Sequence, residues 1–234
     1  MINAYVINLD ARTDRWDEVC NQIFPSEIRV LRISAVTADE LSFDSLRYAA
    51  PGVAATWLSH QKAAAALLKS SDDFALILED DFVLGPTFKL PDLERLEELK
   101  IDFVQLGFLK VSTWESIDLW VANLRDRLIR VVQKLSEINS LGFSHFRSKT
   151  LVKEVKNLPS NYIPADIRPG GHCYLISRKM AEAIQLLNNP IIFSADELFL
   201  SISSMRALKM VRLRKSEVSQ SNSPSSVNYR FKQY

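Results

Sequence analysis

The sequence has almost no surplus charge: 29 Lys and Arg stand against 28 Asp and Glu, a formal net charge of +1. Such a chain lacks the cationic excess that drives counterion release from a polyanion, so a nucleic-acid-coating role is excluded. It also lacks a long hydrophobic run. The densest apolar stretches, 63–68 and 74–78, fall far short of the roughly 18–20 residues that a helical membrane crossing needs. Cysteine is scarce. Cys20 and Cys173 lie far apart, with no Cys-x-x-Cys and no histidine cluster to complete a zinc site. A disulfide framework and a structural zinc are therefore not expected, and a reducing cytoplasm is. The first fifteen residues have no basic segment leading into an apolar one, so they read as a strand rather than a secretion signal. There is no internal repeat, and Gly-x-Ser-x-Gly is absent, which removes the usual serine-hydrolase elbow.

What is present is the mix of an ordinary globular protein, 47% hydrophobic and 24% charged, long enough for one domain over 1–234. The first half alternates short apolar runs with amphipathic segments. Residues 4–8 read as a strand, and 12–24 as a helix with Trp16, Val19, Cys20 and Ile23 on one face. A strand at 28–33 follows. Then comes a long helix over 53–68, opened by Pro51 and Gly52, with Val53, Trp57, Ala64, Leu67 and Leu68 as its apolar face. Residues 74–78 are apolar without interruption, so that strand must be covered on both sides, the situation of a central strand in a parallel sheet. A helix at 93–99 and a strand at 102–106 come next. Regular patterning then fades over 110–163, a locally basic stretch with Arg125, Arg127, Arg130, Lys134, Arg147, Lys149, Lys153 and Lys156, which reads as an insertion or an acceptor-side lid. A strand at 173–177 and helices at 180–187 and 193–201 complete the pattern. The final residues, 216–234, are serine-rich. The fold class expected is α/β, a mostly parallel Rossmann-type sheet flanked by helices, with an irregular insertion.

The central strand ends in Glu79-Asp80-Asp81. Ligands of open α/β sheets gather beyond the carboxyl ends of the strands, and three adjacent carboxylates need a cation, a helix amino terminus or solvent to offset their repulsion. A divalent metal would do so while leaving positions for substrate phosphates; an acidic turn capping the next element is the structural alternative. A phosphatase built on Asp-x-Asp would place Glu79 where its nucleophile belongs, and a phosphoacceptor receiver would want an aspartate where the next strand has Leu106-Gly107. Neither fits. A nucleotide-sugar transferase of the GT-A type does.

Four blocks in order make the reading more specific: Tyr5-Val6-Ile7-Asn8-Leu9-Asp10 with Arg12 and Arg15, Trp57-Leu58-Ser59-His60, Leu78-Glu79-Asp80-Asp81, and Gly171-His172-Cys173-Tyr174-Leu175-Ile176-Ser177. In content and order they resemble glycosyltransferase family 25, the bacterial lipopolysaccharide and lipooligosaccharide biosynthesis transferases. Where that family has a Gly-Cys pair before its Ser-His, this chain has Ala54-Ala55-Thr56-Trp57.

The resemblance implies a GT-A-like catalytic domain moving a hexose, galactose or glucose, from a UDP-sugar to a saccharide of lipooligosaccharide or lipopolysaccharide. It implies that Asp81 holds Mn²⁺ or Mg²⁺ with help from Asp80, and that Glu79 meets the ribose or a basic neighbour. Donor binding would draw on Asn8, Arg12, Arg15, Ser59, His60 and His172. Arg12 or Arg15 could instead cover a helix face, and His172 could cap its turn after Gly170-Gly171 or meet the acceptor. The family is held to invert configuration, which requires a carboxylate base away from the metal-bound ones. Asp196 is that candidate, with Glu197 in reserve; the alternative is that Ser194 caps a helix whose dipole both acids complement. A lipid-linked acceptor further suggests peripheral contact of the basic stretches, including Arg206, Lys209, Arg212, Arg214 and Lys215, with an anionic inner membrane face. A catalytically silent binding module of the same fold, and a phosphohydrolase acting on nucleotide sugars, are the competing functions.

Overall fold

In the computed structural model, residues 1–41, 49–109, 157–189, 191–203 and 207–221 are described. Most of the expected insertion, residues 110–156, and the serine-rich end from 222 onward lie outside them, as do Pro190 and Arg206. The elements are β1 (Ile2–Asn8), α1 (Thr13–Cys20), β2 (Ile28–Ser34), a 3₁₀ turn (Ala38–Glu40), α2 (Pro51–Lys69), β3 (Phe74–Glu79), β4 (Phe82–Leu84), α3 (Leu93–Glu98), β5 (Phe103–Gly107), β6 (Tyr162–Pro164), β7 (Cys173–Ser177), α4 (Arg178–Leu186), α5 (Ala195–Ile202), β8 (Met210–Leu213) and β9 (Val218–Gln220).

One mixed sheet runs β2-β1-β3-β7-β5-β8-β6, with β9 joining β4 and β5. Strands β2, β1, β3, β5 and β8 point one way, and β7 lies antiparallel between β3 and β5. The period-2 alternation of the central strands divides the core. Tyr5, Ile7, Ala75, Ile77, Tyr174 and Ile176 pack under α2, α4 and α5, while Ala4, Val6, Leu76, Leu78, Cys173 and Leu175 pack with Val19 of α1 and Leu96 of α3. β3 is buried along both faces, as its uninterrupted apolar run requires.

Single residues depart from the expected faces at two places. Of the expected apolar face of α1, Val19 is buried and Trp16 packs against the core, whereas Cys20 is exposed, Ile23, past the end of the helix, is 92% exposed, and Arg15 is buried. Arg15 is turned inward beside Val19, where it reaches the Asp80 carboxylate under the sheet edge. In the basic stretch before the carboxyl end, Lys209, Arg214 and Lys215 are exposed, but one residue is not part of that face. Arg212 is buried in β8, paired with Asp166 and stacked over Phe108 at 5.1 Å. Its neighbours Met210, Val211 and Leu213 face the core, which the alternation of basic residues hid.

The antiparallel direction of β7 decides which residues reach the carboxyl edge of the sheet. Pairing Leu78 with Cys173 sets the start of β7 beside the end of β3, and the Glu79 amide donates to the His172 carbonyl at 3.1 Å. A parallel strand in that slot would have carried Gly170, Gly171 and His172 to the opposite edge.

Candidate active site

The acidic triplet emerges from β3 at the carboxyl edge, and its three members diverge. Asp80 turns under the sheet edge: Arg15 Nη1 donates to its Oδ1 at 2.6 Å and Asn8 Nδ2 to its Oδ2 at 2.7 Å, all three residues being buried. Asn8 Nδ2 also reaches the Arg12 carbonyl at 3.1 Å, which ties the β1–α1 turn to the same carboxylate. Asp80 is thus held by a buried ion pair and an amide, leaving Asp81 as the carboxylate placed to meet a cation.

Asp81 is buried. Its Oδ2 accepts from Gln220 Nε2 at 2.8 Å and its carbonyl from the Ser221 amide at 2.6 Å, but its Oδ1 is inaccessible and has no hydrogen-bond partner among the described residues. Burial, and then the nearby Glu79 charge, raise this carboxyl above its ordinary value despite the Gln220 bond. Glu79 is intermediate in exposure and faces His60, with Nε2 at 3.6 Å from Oε1. Burial opposes its charge, but His60, His172 and Arg15 together outweigh that and lower its pKa.

Two cavities meet here. The first, about 250 Å³, is lined by Arg15, Val36, Thr37, Ser59, His60, Asp80 and Asp81 among others. The second, about 390 Å³, is lined by Val53, Leu109, Gly170, Gly171, His172, Ser194 and Asp196. Thr56, Glu79 and Gln220 belong to both and form the wall between them.

The second cavity owes its shape to glycine. A Cβ on Gly171 would stand 2.8 Å from Asp196 Oδ1 and 3.6 Å from Glu79 Oε1, so a missing side chain is what lets two carboxylates approach from either side. Gly170 has φ +105°, and its amide donates to Asp196 Oδ2 at 2.9 Å. Burial first, and the Glu79 charge second, push Asp196 up to about 6, with the Gly170 and Gly171 amides and His60 opposing. A carboxylate in that range can take a proton near neutral pH. The loop leading to Asp196 is closed by buried Asn188, at φ 59°, whose side chain accepts from the Ile192 and Phe193 amides and donates to the Phe193 carbonyl.

The other expected residues take distinct places. Ser59 is buried in α2, accepts from the Val36 amide at 2.8 Å and donates to Ala55, fixing the strand-exit loop that walls the first cavity. His60 is fully buried, its Nδ1 2.7 Å from the Tyr174 hydroxyl. His172 is buried against Gly107, with Nε2 3.5 Å from the Val218 carbonyl and Nδ1 without a partner among the described residues. Arg12 lines neither cavity and pairs with Asp14 at 2.8 Å on the exposed start of α1. Glu197 forms a capping box with Ser194, which occupies the acid held in reserve as base. Sequence reasoning missed Gln220, since three residues of β9 in a serine-rich stretch give no periodic signal, and it assigned no role to Tyr174.

No group of three His, Cys, Asp or Glu that could hold a metal occurs among the described residues. What fits a cation is narrower: the partnerless, buried Asp81 Oδ1, suited to an ion that takes its other ligands from phosphate oxygens and water.

The site is thus a two-cavity cleft at the carboxyl edge of an α/β sheet, where ligands of such sheets bind, with the titratable Asp196 on one side. Residues 1–199 match the family model described as Glycosyltransferase family 25 (LPS biosynthesis protein), and the chain belongs to that family. No curated protein matches the chain by sequence. Among solved structures it is similar to S. aureus TarS 1-349, at 13% identity and a TM-score of 0.45; the match covers 94% of this chain and spans 60% of that one, a likeness too loose to carry function across. Among the described residues no helix is long and apolar enough to cross a membrane.

Proposed function

We propose that the protein transfers a hexose, galactose or glucose, with inversion from a UDP-sugar to a saccharide hydroxyl of a lipid-linked lipooligosaccharide or lipopolysaccharide acceptor. The observation that supports this reading is the shared wall: Glu79 separates a cavity carrying Asp81 from a cavity carrying Asp196. The donor occupies the first, with its diphosphate toward Asp81, and the acceptor the second. Asp196 takes the proton from the acceptor hydroxyl, whose oxygen then bonds to the anomeric carbon as the bond to the nucleoside diphosphate breaks, in one displacement. Gly171 leaves room for the two substrates to come together there. Asp81 Oδ1 would hold Mn²⁺ or Mg²⁺, which when bound supplies charge neutralisation of the leaving diphosphate.

The test is a panel of nucleotide sugars scored by thermal shift with and without Mn²⁺, followed by transfer assays on deacylated core oligosaccharides. UDP-galactose or UDP-glucose should stabilise the wild type in a Mn²⁺-dependent way, and Asp81→Ala should lose that dependence. The donor assignment is wrong if no nucleotide sugar shifts the wild type. Release of free sugar without an acceptor would instead indicate a hydrolase.

A further inference from the structure

Tyr174 sits in β7 with its ring stacked on Phe103 at 5.1 Å, edge-on to Phe199 at 5.0 Å, and fully buried. Its hydroxyl lies 2.7 Å from His60 Nδ1, across the interface between sheet and α2. Burial, with the nearby Glu79 and Asp196 charges, raises the phenol pKa well above its ordinary value, so the oxygen keeps its proton. A protonated phenol enclosed by aromatic rings has one favourable use for that proton, which is donation to the imidazole. With Nδ1 as the acceptor, the ring hydrogen lies on Nε2. Nε2 is buried, has no hydrogen-bond partner among the described residues, and faces Glu79 Oε1 at 3.6 Å.

We propose that Tyr174 is a positioning residue that fixes His60 as the Nε2–H tautomer and so directs an N–H at Glu79, the carboxylate both cavities share. The inference rests on the reading of those cavities as donor and acceptor sites. Without the phenol, the imidazole could place its hydrogen on Nδ1 and present a lone pair to Glu79, repelling the group it now faces. With the phenol in place, Glu79 is held against α2 through Oε1, leaving Oε2 to meet hydroxyls of the sugar passing between the cavities.

Nitrogen-15 NMR of His60 in the intact chain reads the tautomer directly, and Tyr174→Phe removes the hydroxyl while keeping the ring in its aromatic cluster. The wild type should show protonated Nε2 and acceptor Nδ1, and Tyr174→Phe should lose that preference. For transfer, kcat in Tyr174→Phe should fall about tenfold while the donor KM moves less than about threefold, the size of one lost neutral hydrogen bond. His60→Gln, whose amide can still donate near the Nε2 position, should retain more kcat than His60→Asn, whose amide reaches only the Nδ1 position. A wild-type ring protonated on Nδ1 alone, or a Tyr174→Phe variant with unchanged tautomer and kcat, overturns the proposal. Should Tyr174→Phe not fold, the wild-type spectrum and the Gln and Asn pair still decide it. If the wild type transfers no sugar, the functional reading fails, and the nitrogen spectra still decide whether Tyr174 sets the ring.

Discussion

On the Asp81 side of Glu79 the carboxylates have partners: Asp80 is bound by Arg15 and Asn8, and Asp81 is tied on one oxygen by Gln220. On the other side Asp196 has no cationic hydrogen-bond partner among the described residues; burial and the Glu79 charge outweigh the Gly170 and Gly171 amides and His60, and its pKa rises to about 6. Regular strand and helix ends build the first cavity, whereas the second is built by turns, the Gly170-Gly171 pair and the Asn188 loop. Pairing charges gives a firmly held socket suited to a phosphate-bearing ligand. Leaving a carboxylate buried beside another instead gives one that titrates at about 6, at a cost in stability. The proposed function assigns binding and proton transfer to different sides of this one wall.

The largest effect should come from the unpaired side. Asp196→Asn should lower kcat by about 10²–10⁴ while leaving the thermal shift by nucleotide sugar intact, since the change touches only the second cavity. Transfer that survives the substitution would remove Asp196 as base. The wild-type rate should rise with pH to a plateau above about 6, as the carboxyl ionises. Stability should run the other way. Because the folded-state value lies above the ordinary 3.8, the folded protein binds more protons than the unfolded chain between about pH 4 and 6, so this group's contribution is full at low pH and is lost as pH rises through 6. Asp196→Asn, which cannot ionise, should be more stable than wild type at pH 7 by about 1–3 kcal/mol and show a flatter profile over that window in denaturant titrations.

The paired side predicts loss of the fold before loss of chemistry. Arg15→Ala would leave Asp80 buried with only the Asn8 amide, and removing one partner of a buried pair costs about 3–5 kcal/mol. Urea unfolding should show it. Adding Asp80→Asn to Arg15→Ala should recover much of the loss, because the uncompensated charge is then gone. If Arg15→Ala instead unfolds like the wild type but no longer binds donor, Arg15 acts on the ligand and the contrast between the sides is misplaced.

The sequence revealed the sheet better than the division of labour at its edge. The apolar run of β3 and the acids that end it could be read directly, because burial on both faces leaves an unbroken apolar signal. That Asp80 is paired and Asp81 is the carboxylate with an unmatched oxygen depends on α1 turning Arg15 inward beside Val19, a tertiary outcome with no local signature. Asp196 was legible as an acid remote from the triplet, but its proximity to Glu79 depends on β7 running antiparallel, which no pattern within β7 encodes. The shortest strands were illegible. β4 and β9 each have three residues, and their order comes from pairing with each other.

Gln220 gives the smallest and most discriminating test, because it lies past residue 199, where the family match ends, and yet touches both cavities. The residue is exposed but donates to buried Asp81, so Gln220→Ala should lower the unfolding free energy by about 1 kcal/mol. Its amide holds Asp81 Oδ2 at 2.8 Å. Freeing that oxygen should weaken Mn²⁺-dependent donor binding about threefold to tenfold, the size of one hydrogen bond to a charged group on an exposed side chain. If Gln220 is part of the common wall, donor and acceptor KM should rise together. A rise in acceptor KM alone would place Gln220 with the second cavity and leave Glu79 and Thr56 as the boundary.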